Sequence, residues 1–124
     1  MDIQQLYEFC LSKKAVTEHF PFDEDTLVFK VGGKMFCMAS LQEWEKGNPA
    51  ISVKCDPSYA IELRDRYESV IPGYYSNKKH WNTVFINNEI DDRKIVHFIN
   101  HSYELVVSGL PKKTRDTLKK ELDF

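Results

Sequence analysis

Two adjacent glycines, Gly32 and Gly33, constrain the fold of this chain more than any other feature. They separate two apolar segments of strand length, residues 26–31 and 34–40. A two-residue hairpin turn requires positive φ angles, which glycine adopts without steric cost. The sequence therefore predicts a β-hairpin centred on the glycine pair.

The hairpin register determines which side chains share a face of the sheet. With Val31 opposite Lys34, cross-strand neighbours bring the bulky apolar side chains together. That face is predicted to hold Leu27, Phe29, Phe36 and Met38. The other face is predicted to carry Thr26, Val28, Lys30, Met35 and Cys37. We expect helices to cover the first face and water to reach part of the second.

Local signals mark the remaining elements, because capping residues and apolar periodicity identify helix starts and buried faces. The predicted elements are a helix from Asp2, a strand over 50–54, a helix from Asp56–Pro57 to about Tyr67, strands over 69–71 and 83–86, and a helix over 91–109. The buried stripe of the last helix is predicted to be Ile95, Ile99, Ser102 and Val106. A short final helix is expected to start at Pro111.

These strands are joined mostly by hairpin-length links, which predicts a largely antiparallel sheet. The expected fold class is α+β: a two-layer α/β sandwich with about five strands, helices on one face and the order α-β-β-β-α-β-β-α. The length of 124 residues fits a single domain, 1–124, in which 111–124 form a short C-terminal helical tail.

Charge and cysteine content limit the function and the compartment. The chain has 17 lysines and arginines against 19 aspartates and glutamates, a net charge of −2. No global positive field would draw it to nucleic acid or to an anionic membrane, so either role requires a local basic patch. No apolar run approaches the roughly 20 residues of a membrane helix. Cys10, Cys37 and Cys55 are expected to be free thiols in the reducing cytoplasm.

The densest mixture of cations, aromatic rings and amides lies just before the last predicted strand. It comprises Tyr74, Tyr75, Ser76, Asn77, Lys78, Lys79, His80, Trp81 and Asn82. Lysines neutralise phosphates, amides bond phosphates or base edges, and aromatic rings stack on bases. We interpret Lys78 and Lys79 as phosphate contacts, Asn77, His80 and Asn82 as polar readers, and Trp81 as a stacking or anchoring ring. The alternative is an ordinary solvated loop whose tryptophan packs on the core.

A second basic group lies in the C-terminal tail. It comprises Lys112, Lys113 and Arg115, with Lys119 and Lys120 beyond. Together with Arg64 on the second long helix, the first three would extend a nucleic-acid footprint. The alternatives are ion pairs on solvated helix faces, such as Lys112 with Asp116. Lys30 and Lys34 near the hairpin tip have the same two interpretations, since lysines also protect sheet edges.

Candidates for catalysis or metal binding are weaker. His97 and His101 have a helical spacing that can hold a metal, but no third ligand is near in sequence. Cys55 is the least buried of the predicted thiols, and a buried thiol is inert. The acidic run 23–25 is typical of a solvated loop, and His80 with Asp25 would lack a nucleophile. We therefore expect no metal, no cofactor and no catalytic residue.

Three blocks of sequence carry a resemblance to a known family. The blocks are Phe20–Phe22 with Asp25–Val31 and Gly33–Phe36; Lys54–Pro57 with Glu62–Arg64 and Pro72–Thr83; and His101–Val107 with Leu110–Lys113. Together they resemble the MmcQ/YjbR family over nearly the whole chain. The segment from Asn77 to Trp81 is specific to that family.

The resemblance implies an antiparallel sheet with helices on one side, and DNA binding through a "double wing", an assignment made by structural analogy. Two positions depart from the family pattern: Asp23 stands where glycine is usual, and Tyr75 where histidine is usual. We expect a non-catalytic DNA-binding protein, monomeric or weakly dimeric, with no membrane contact. The alternative is a module that binds a protein partner or a small anionic ligand through the same loop.

Overall fold

The computed structural model describes residues 1–73 and 77–122, without the side chains of 120–122. The helices are α1 (Ile3–Ser12), α2 (Leu41–Glu45), α3 (Pro57–Arg66), α4 (Asp92–Ser108) and α5 (Lys112–Leu122). The strands are β1 (Val16–His19), β2 (Thr26–Val31), β3 (Lys34–Ser40), β4 (Ala50–Lys54), β5 (Val70–Pro72) and β6 (Trp81–Phe85). Tyr74, Tyr75 and Ser76 lie outside the described residues.

The six strands form one sheet in the order β1-β2-β3-β4-β6-β5, and every neighbouring pair is antiparallel. The buried sides of α1, α3 and α4 share one apolar core with one face of this sheet. The predicted α+β class with one-sided helices is therefore confirmed. The sheet has one strand more than expected, because β1 is an edge strand with three exposed residues and no apolar alternation.

The glycine hairpin forms as predicted, but its register changes within the strands. Gly32 and Gly33 have φ angles of +58° and +79°, and Val31 pairs with Lys34. Between Lys30 and Phe29 the register shifts by one residue, so that Phe29 faces Cys37. Such a shift is the mark of a β-bulge, in which one strand carries an extra residue.

The bulge corrects the predicted faces of β3. Phe36 and Cys37 both lie in the helix-side core, whereas Met38 joins Val28 on the opposite face of the sheet. The prediction that Met38 shares a face with Phe36 is wrong, as is the placement of Cys37 on the wetter face. A single inserted residue inverts the side-chain alternation beyond it, because strand side chains alternate with a period of two.

Ser102 connects α4 to the bulged strand. Its hydroxyl donates to the Phe36 carbonyl at 2.6 Å and accepts from the Lys54 backbone N–H at 2.8 Å. The predicted stripe of α4 is buried, and this serine is its polar member. Ser102 therefore satisfies two backbone groups at the β3 and β4 ends, where a buried unpaired group would cost free energy.

Candidate nucleic-acid interface

The connection between β5 and β6 begins and ends with backbone hydrogen bonds that fix its base. The Gly73 N–H donates to the Trp81 carbonyl at 2.9 Å, and the Cys55 N–H donates to the His80 carbonyl at 2.7 Å. The Asn77 carbonyl accepts from the N–H groups of His80 and Trp81, each at 3.0 Å. Backbone hydrogen bonds therefore hold this part of the connection against the sheet as a turn.

Asn77 organises that turn with its side chain. Its Oδ1 accepts from the Lys79 backbone N–H at 2.9 Å, the pattern of an Asx turn. Lys78 and Lys79 both lie exposed in this turn, and His80 is half-buried. The structure thus brings two lysines together at the surface.

Arg64 supports the turn from α3. Its Nε donates to Asn82 Oδ1 at 2.7 Å, and its Nη2 donates to the carbonyls of Lys78 and Trp81, the latter at 3.3 Å. Three of its N–H···O contacts are therefore made inside the protein. Arg64 positions the basic turn instead of extending its outer surface, which changes the role expected from the sequence.

Trp81 and Asn82 are buried, with 8% and 1% of their surface exposed. Trp81 packs on Val28 and Met38, on the sheet face opposite the helices. Asn82 points to the helix side, because it is the next residue of β6. Neither side chain is placed to stack on a base or to contact a base edge, so Trp81 acts as an anchor and Asn82 as a partner for Arg64.

The C-terminal basic group lies on α5. Lys112 and Lys113 are exposed in its first turn, and Arg115 is half-buried one turn further on. Leu110, just before α5, packs against the glycine turn, since a Cβ built on Gly32 would lie 2.6 Å from its Cδ1. The start of α5 therefore lies beside the tip of the β2–β3 hairpin.

The topology segregates charge between the two ends of the sheet. Because all strand pairs are antiparallel, the α1–β1, β2–β3, β4–α3, β5–β6 and α4–α5 connections meet at one end, which we call the basic end. Its lysines are Lys13, Lys14, Lys30, Lys34, Lys54, Lys78, Lys79, Lys112 and Lys113. Its carboxylates are Asp56, Glu104 and Asp116.

The other end, which we call the acidic end, has the opposite composition. Its carboxylates are Asp23, Glu24, Asp25, Glu43, Glu45, Glu68, Glu89, Asp91 and Asp92. Its cations are Lys46, Arg66, Arg93 and Lys94. Asp25 and His80 lie at opposite ends, so the structure does not pair them as an acid and a base.

The ion pairs among the described residues leave the lysines of the basic end free of carboxylate partners. The pairs are the Met1 α-amino group with Asp92 at 3.1 Å, Lys46 with Glu43 at 3.9 Å, and Arg66 with Glu62 at 3.3 Å. Lys13 is engaged in another way, since its ammonium bonds Asn100 and lies 4.6 Å from the Tyr103 ring centroid. Burial lowers the pKa of Lys13.

The histidine pair on α4 is also engaged within the fold. His101 Nε2 accepts from the Asp56 backbone N–H at 3.2 Å, and the rings of His97 and His101 both pack edge-on against Tyr59. No group of three or more His, Cys, Asp or Glu side chains converges as a metal site in the part of the chain that the structure describes.

Cys55 is not placed as a nucleophile. Burial, together with the nearby Asp56 carboxylate, raises its pKa to about 11, so the thiol stays protonated at neutral pH. Cys55, Asn82 and His101 line one cavity of only about 10 Å³, room for about a single water molecule.

Two of the larger concavities differ in charge. One, of about 270 Å³, lies on the sheet face opposite the helices and is lined by Ser52, Thr83 and Phe85, with Glu43 as its charged side chain. The other, of about 440 Å³, lies at the basic end between α4, α5 and the α1–β1 link. Of these two, only the second concavity has a lining that favours anions. The helical spacing of the cations on α5 is the feature of the sequence that indicates this site.

Comparison with known proteins decides the family. The YjbR family model matches residues 11–105. The chain belongs to the YjbR family. The uncharacterised protein YbdF of Escherichia coli O157:H7 is 37% identical over 123 residues, which cover 96% of this chain and 98% of YbdF. The uncharacterised protein YjbR of Escherichia coli K12 is 30% identical over 118 residues, 95% of this chain and 98% of that protein.

Solved structures show the same YjbR-like fold. The crystal structure of Deinococcus radiodurans protein DR2400 superposes with a TM-score of 0.86 at 33% identity, covering 95% of this chain and 88% of that one. A Pseudomonas syringae protein gives a TM-score of 0.70 at 22% identity, covering 85% and 98%, and shows likeness of fold alone.

One departure from the YjbR pattern has a structural role here. The Asp23 carboxylate accepts from the backbone N–H groups of Asp25 and Thr26 at 2.9 and 2.6 Å, and these bonds lower its pKa. It lies at the acidic end, away from the basic turn, so it does not place a carboxylate beside Lys78 and Lys79. The second departure, Tyr75, lies outside the described residues. No described helix of this YjbR-family chain is both long and apolar enough to cross a membrane.

Proposed function

We propose that this YjbR-family protein is a non-catalytic DNA-binding protein of the cytoplasm. Its basic end binds the phosphate backbone of the DNA. The observation that carries the proposal is the segregation of charge: four of the five connections at one end of the sheet carry exposed lysines, while the carboxylates concentrate at the other end. A net charge of −2 then still leaves a local positive field where DNA would approach.

The phosphate contacts in this proposal come from two elements. The Asx turn of Asn77 presents Lys78 and Lys79, and the first turn of α5 presents Lys112 and Lys113. Arg64 holds the first pair in place through the Lys78 carbonyl. Because Trp81 and Asn82 are buried, the contacts supply affinity more than base specificity, as is usual for phosphate contacts.

A salt-dependence titration tests the proposal. Binding of a labelled 20-base-pair duplex is measured by fluorescence anisotropy at two or more salt concentrations, for the parent protein and for the Lys78→Ala, Lys79→Ala double variant. Each lost phosphate contact should reduce the log–log salt slope by about 0.9, so the double variant should bind more weakly with a slope lower by up to about 1.8.

A matched control separates a local site from net charge. Arg93→Ala with Lys94→Ala removes two cations from the acidic end, where Arg93 is exposed. We expect this control to bind duplex as the parent does. Equal binding by the Lys78, Lys79 variant and the parent, or equal weakening by the control, would contradict the proposal.

The alternative is that the same turn binds a protein partner or a small anionic ligand. Calorimetric titration with nucleotides and phosphorylated metabolites distinguishes this alternative from DNA binding. Saturable binding of a small anion that Lys78→Ala, Lys79→Ala abolishes, with no affinity for duplex or single-stranded DNA, would favour the alternative.

A further inference from the structure

The cavity at the basic end, which we call the α4–α5 cavity, has a lining of two kinds. Its cations are Lys14, Lys112, Arg115 and Lys119, against one carboxylate, Asp116. Its apolar wall is formed by Tyr103, Val107 and Leu118. Its volume of about 440 Å³ lies within the roughly 300–1,000 Å³ of small-molecule sites.

Helical spacing explains why the cations converge. Lys112, Arg115 and Lys119 follow one another at intervals of three and four residues on α5, so they share one face of that helix. Leu118 on the same helix packs against the main core. The cation-bearing face is therefore held towards α4, where Tyr103 and Val107 lie.

Arg115 is the half-buried cation of this lining, whereas Lys14, Lys112 and Lys119 are exposed. Its Nε is buried without a hydrogen-bond partner among the described residues. Buried polar groups are nearly always hydrogen-bonded, and an unpaired donor of a charged group costs free energy. An anionic group on the cavity side of the guanidinium would offset this buried charge and would be surrounded by the other cations of the lining.

The wall opposite the cations is rigid. The Tyr103 hydroxyl donates to the Lys14 carbonyl at 2.7 Å, and its ring packs edge-on against Phe36 at 5.3 Å between centroids. The Lys13 ammonium lies over the same ring at 4.6 Å. The aromatic surface is thus fixed before any ligand arrives, which lowers the ordering cost of binding.

We propose that the α4–α5 cavity binds an amphipathic organic anion, with its phosphate or carboxylate head on Arg115, Lys112 and Lys119 and its apolar body on Tyr103, Val107 and Leu118. The two-sided lining selects for both parts of the ligand. A bare inorganic anion leaves the apolar wall uncovered, and a neutral apolar molecule leaves the cations of the lining without an anionic partner. This site uses Lys112 in common with the proposed DNA footprint but does not depend on DNA binding.

The test uses 2-naphthyl phosphate as the probe, with inorganic phosphate and 2-naphthalenemethanol as its two halves. Binding to the full chain is measured by calorimetry, and backbone amide shifts locate the site. We expect saturable binding of 2-naphthyl phosphate at least tenfold tighter than either half, with shifts at Val107 and Leu118. Binding no tighter than inorganic phosphate, or shifts confined to other residues, would overturn the proposal.

Two variants check the two parts of the site. Arg115→Gln should weaken 2-naphthyl phosphate about tenfold, the scale of a charge-assisted hydrogen bond. Val107→Thr, nearly isosteric and half-exposed, should weaken 2-naphthyl phosphate severalfold and leave inorganic phosphate unchanged. Unchanged probe binding by both variants would exclude this cavity.

A control separates this inference from the proposed function. Lys78→Ala with Lys79→Ala lies outside the cavity and should bind 2-naphthyl phosphate as the parent does while losing duplex affinity. If the parent binds duplex but not the probe, the cavity proposal alone fails. If the parent binds the probe but not duplex, only the DNA proposal fails.

Discussion

At the scale of single residues, Arg64 differs most from its expected role. A surface arginine near a basic loop is a natural phosphate contact, yet the Arg64 guanidinium bonds Asn82 and two backbone carbonyls of the loop. Arginine suits this role because its planar fork donates in several fixed directions. Arg64 is thus a positioning residue for Lys78 and Lys79.

We predict that Arg64→Lys destabilises the protein by about 1–3 kcal/mol, because a lysine cannot reproduce these bonds and leaves the buried Asn82 Oδ1 without its donor. Urea denaturation measures the change. The control is Arg66→Lys, at an exposed position on α3 whose ion pair with Glu62 contributes little. Equal stabilities for the two variants would show that the Arg64 contacts are dispensable.

His101 gives a prediction about pH. Burial, followed by repulsion from His97, lowers its pKa below the ordinary value of 6.5, although Asp56 and Glu104 oppose this shift. The unfolded state then takes up a proton at a higher pH than the folded state. The free energy of unfolding should therefore decrease as the pH falls below about 6.5.

The variant His101→Gln tests this origin. Glutamine has no titrating group and can still accept a hydrogen bond from the Asp56 N–H. Stability measured by urea denaturation at pH 7.5 and 5.5 should differ less for the variant than for the parent. The same pH dependence in both proteins would assign it to another group.

Residue patterns could predict the exposed lysines and offered a buried Trp81 as one of two interpretations, but they did not predict the burial of Asn82. The sequence places the strand at 83–86, whereas β6 begins two residues earlier. The polar character of Asn82 hides that start, and its burial is stabilised by Arg64, a partner 18 residues away. The local periodicity of the sequence gives no indication of the Arg64–Asn82 contact.

At the scale of elements, the bulge in β3 couples the hairpin to α4. Phe36 is the extra residue of the bulge and has no partner in the pairing of β3 with β2. Its carbonyl accepts a hydrogen bond from the Ser102 hydroxyl. The same hydroxyl accepts from Lys54 N–H in β4. One side chain therefore joins three elements at the basic end.

Removing this hydroxyl should loosen that junction. We predict that Ser102→Ala lowers the free energy of unfolding by about 1–3 kcal/mol, because two buried backbone groups lose their partner. Ser108→Ala, in the exposed last turn of α4, is the matched control and should change stability little. A Ser102 variant as stable as the Ser108 variant would mean that the backbone groups find other partners.

At the scale of the whole molecule, the separation of charge follows from the alternation of antiparallel elements. Consecutive connections lie at opposite ends of the sheet, and the connections rich in lysine are those that fall at the same end. In the DNA-binding proposal, the two exposed lysine pairs on the β5–β6 turn and on α5 would act on one approaching polyanion.

Combining the pairs should test whether they share one footprint. If Lys78, Lys79, Lys112 and Lys113 all contact phosphates, the quadruple alanine variant should lower the salt slope by up to about 3.6, the sum of the two double variants. The measurement is the same duplex titration. A quadruple variant no weaker than the Lys78, Lys79 double variant would remove α5 from the footprint.

The sequence by itself determined the elements whose signals are local. The glycine pair set the hairpin turn, the Asp2 and Asp56 caps set two helix starts, and the apolar stripe of α4 set its buried face. These signals lie within one turn or one strand, where backbone sterics and capping bonds decide. The resemblance to the YjbR family implied the same antiparallel sheet with one-sided helices that these local signals predicted, and the structure confirms that architecture.

Only the tertiary structure decided the bulge, the edge strand β1, the inward role of Arg64 and the gathering of lysines at one end. The bulge and the role of Arg64 involve partners far away in sequence, Ser102 for Phe36 and Asn82 for Arg64, and β1 forms only by pairing with the neighbouring strand β2. The free energy of such contacts is realised only after the chain has brought the elements together. A local sequence pattern therefore does not predict these contacts.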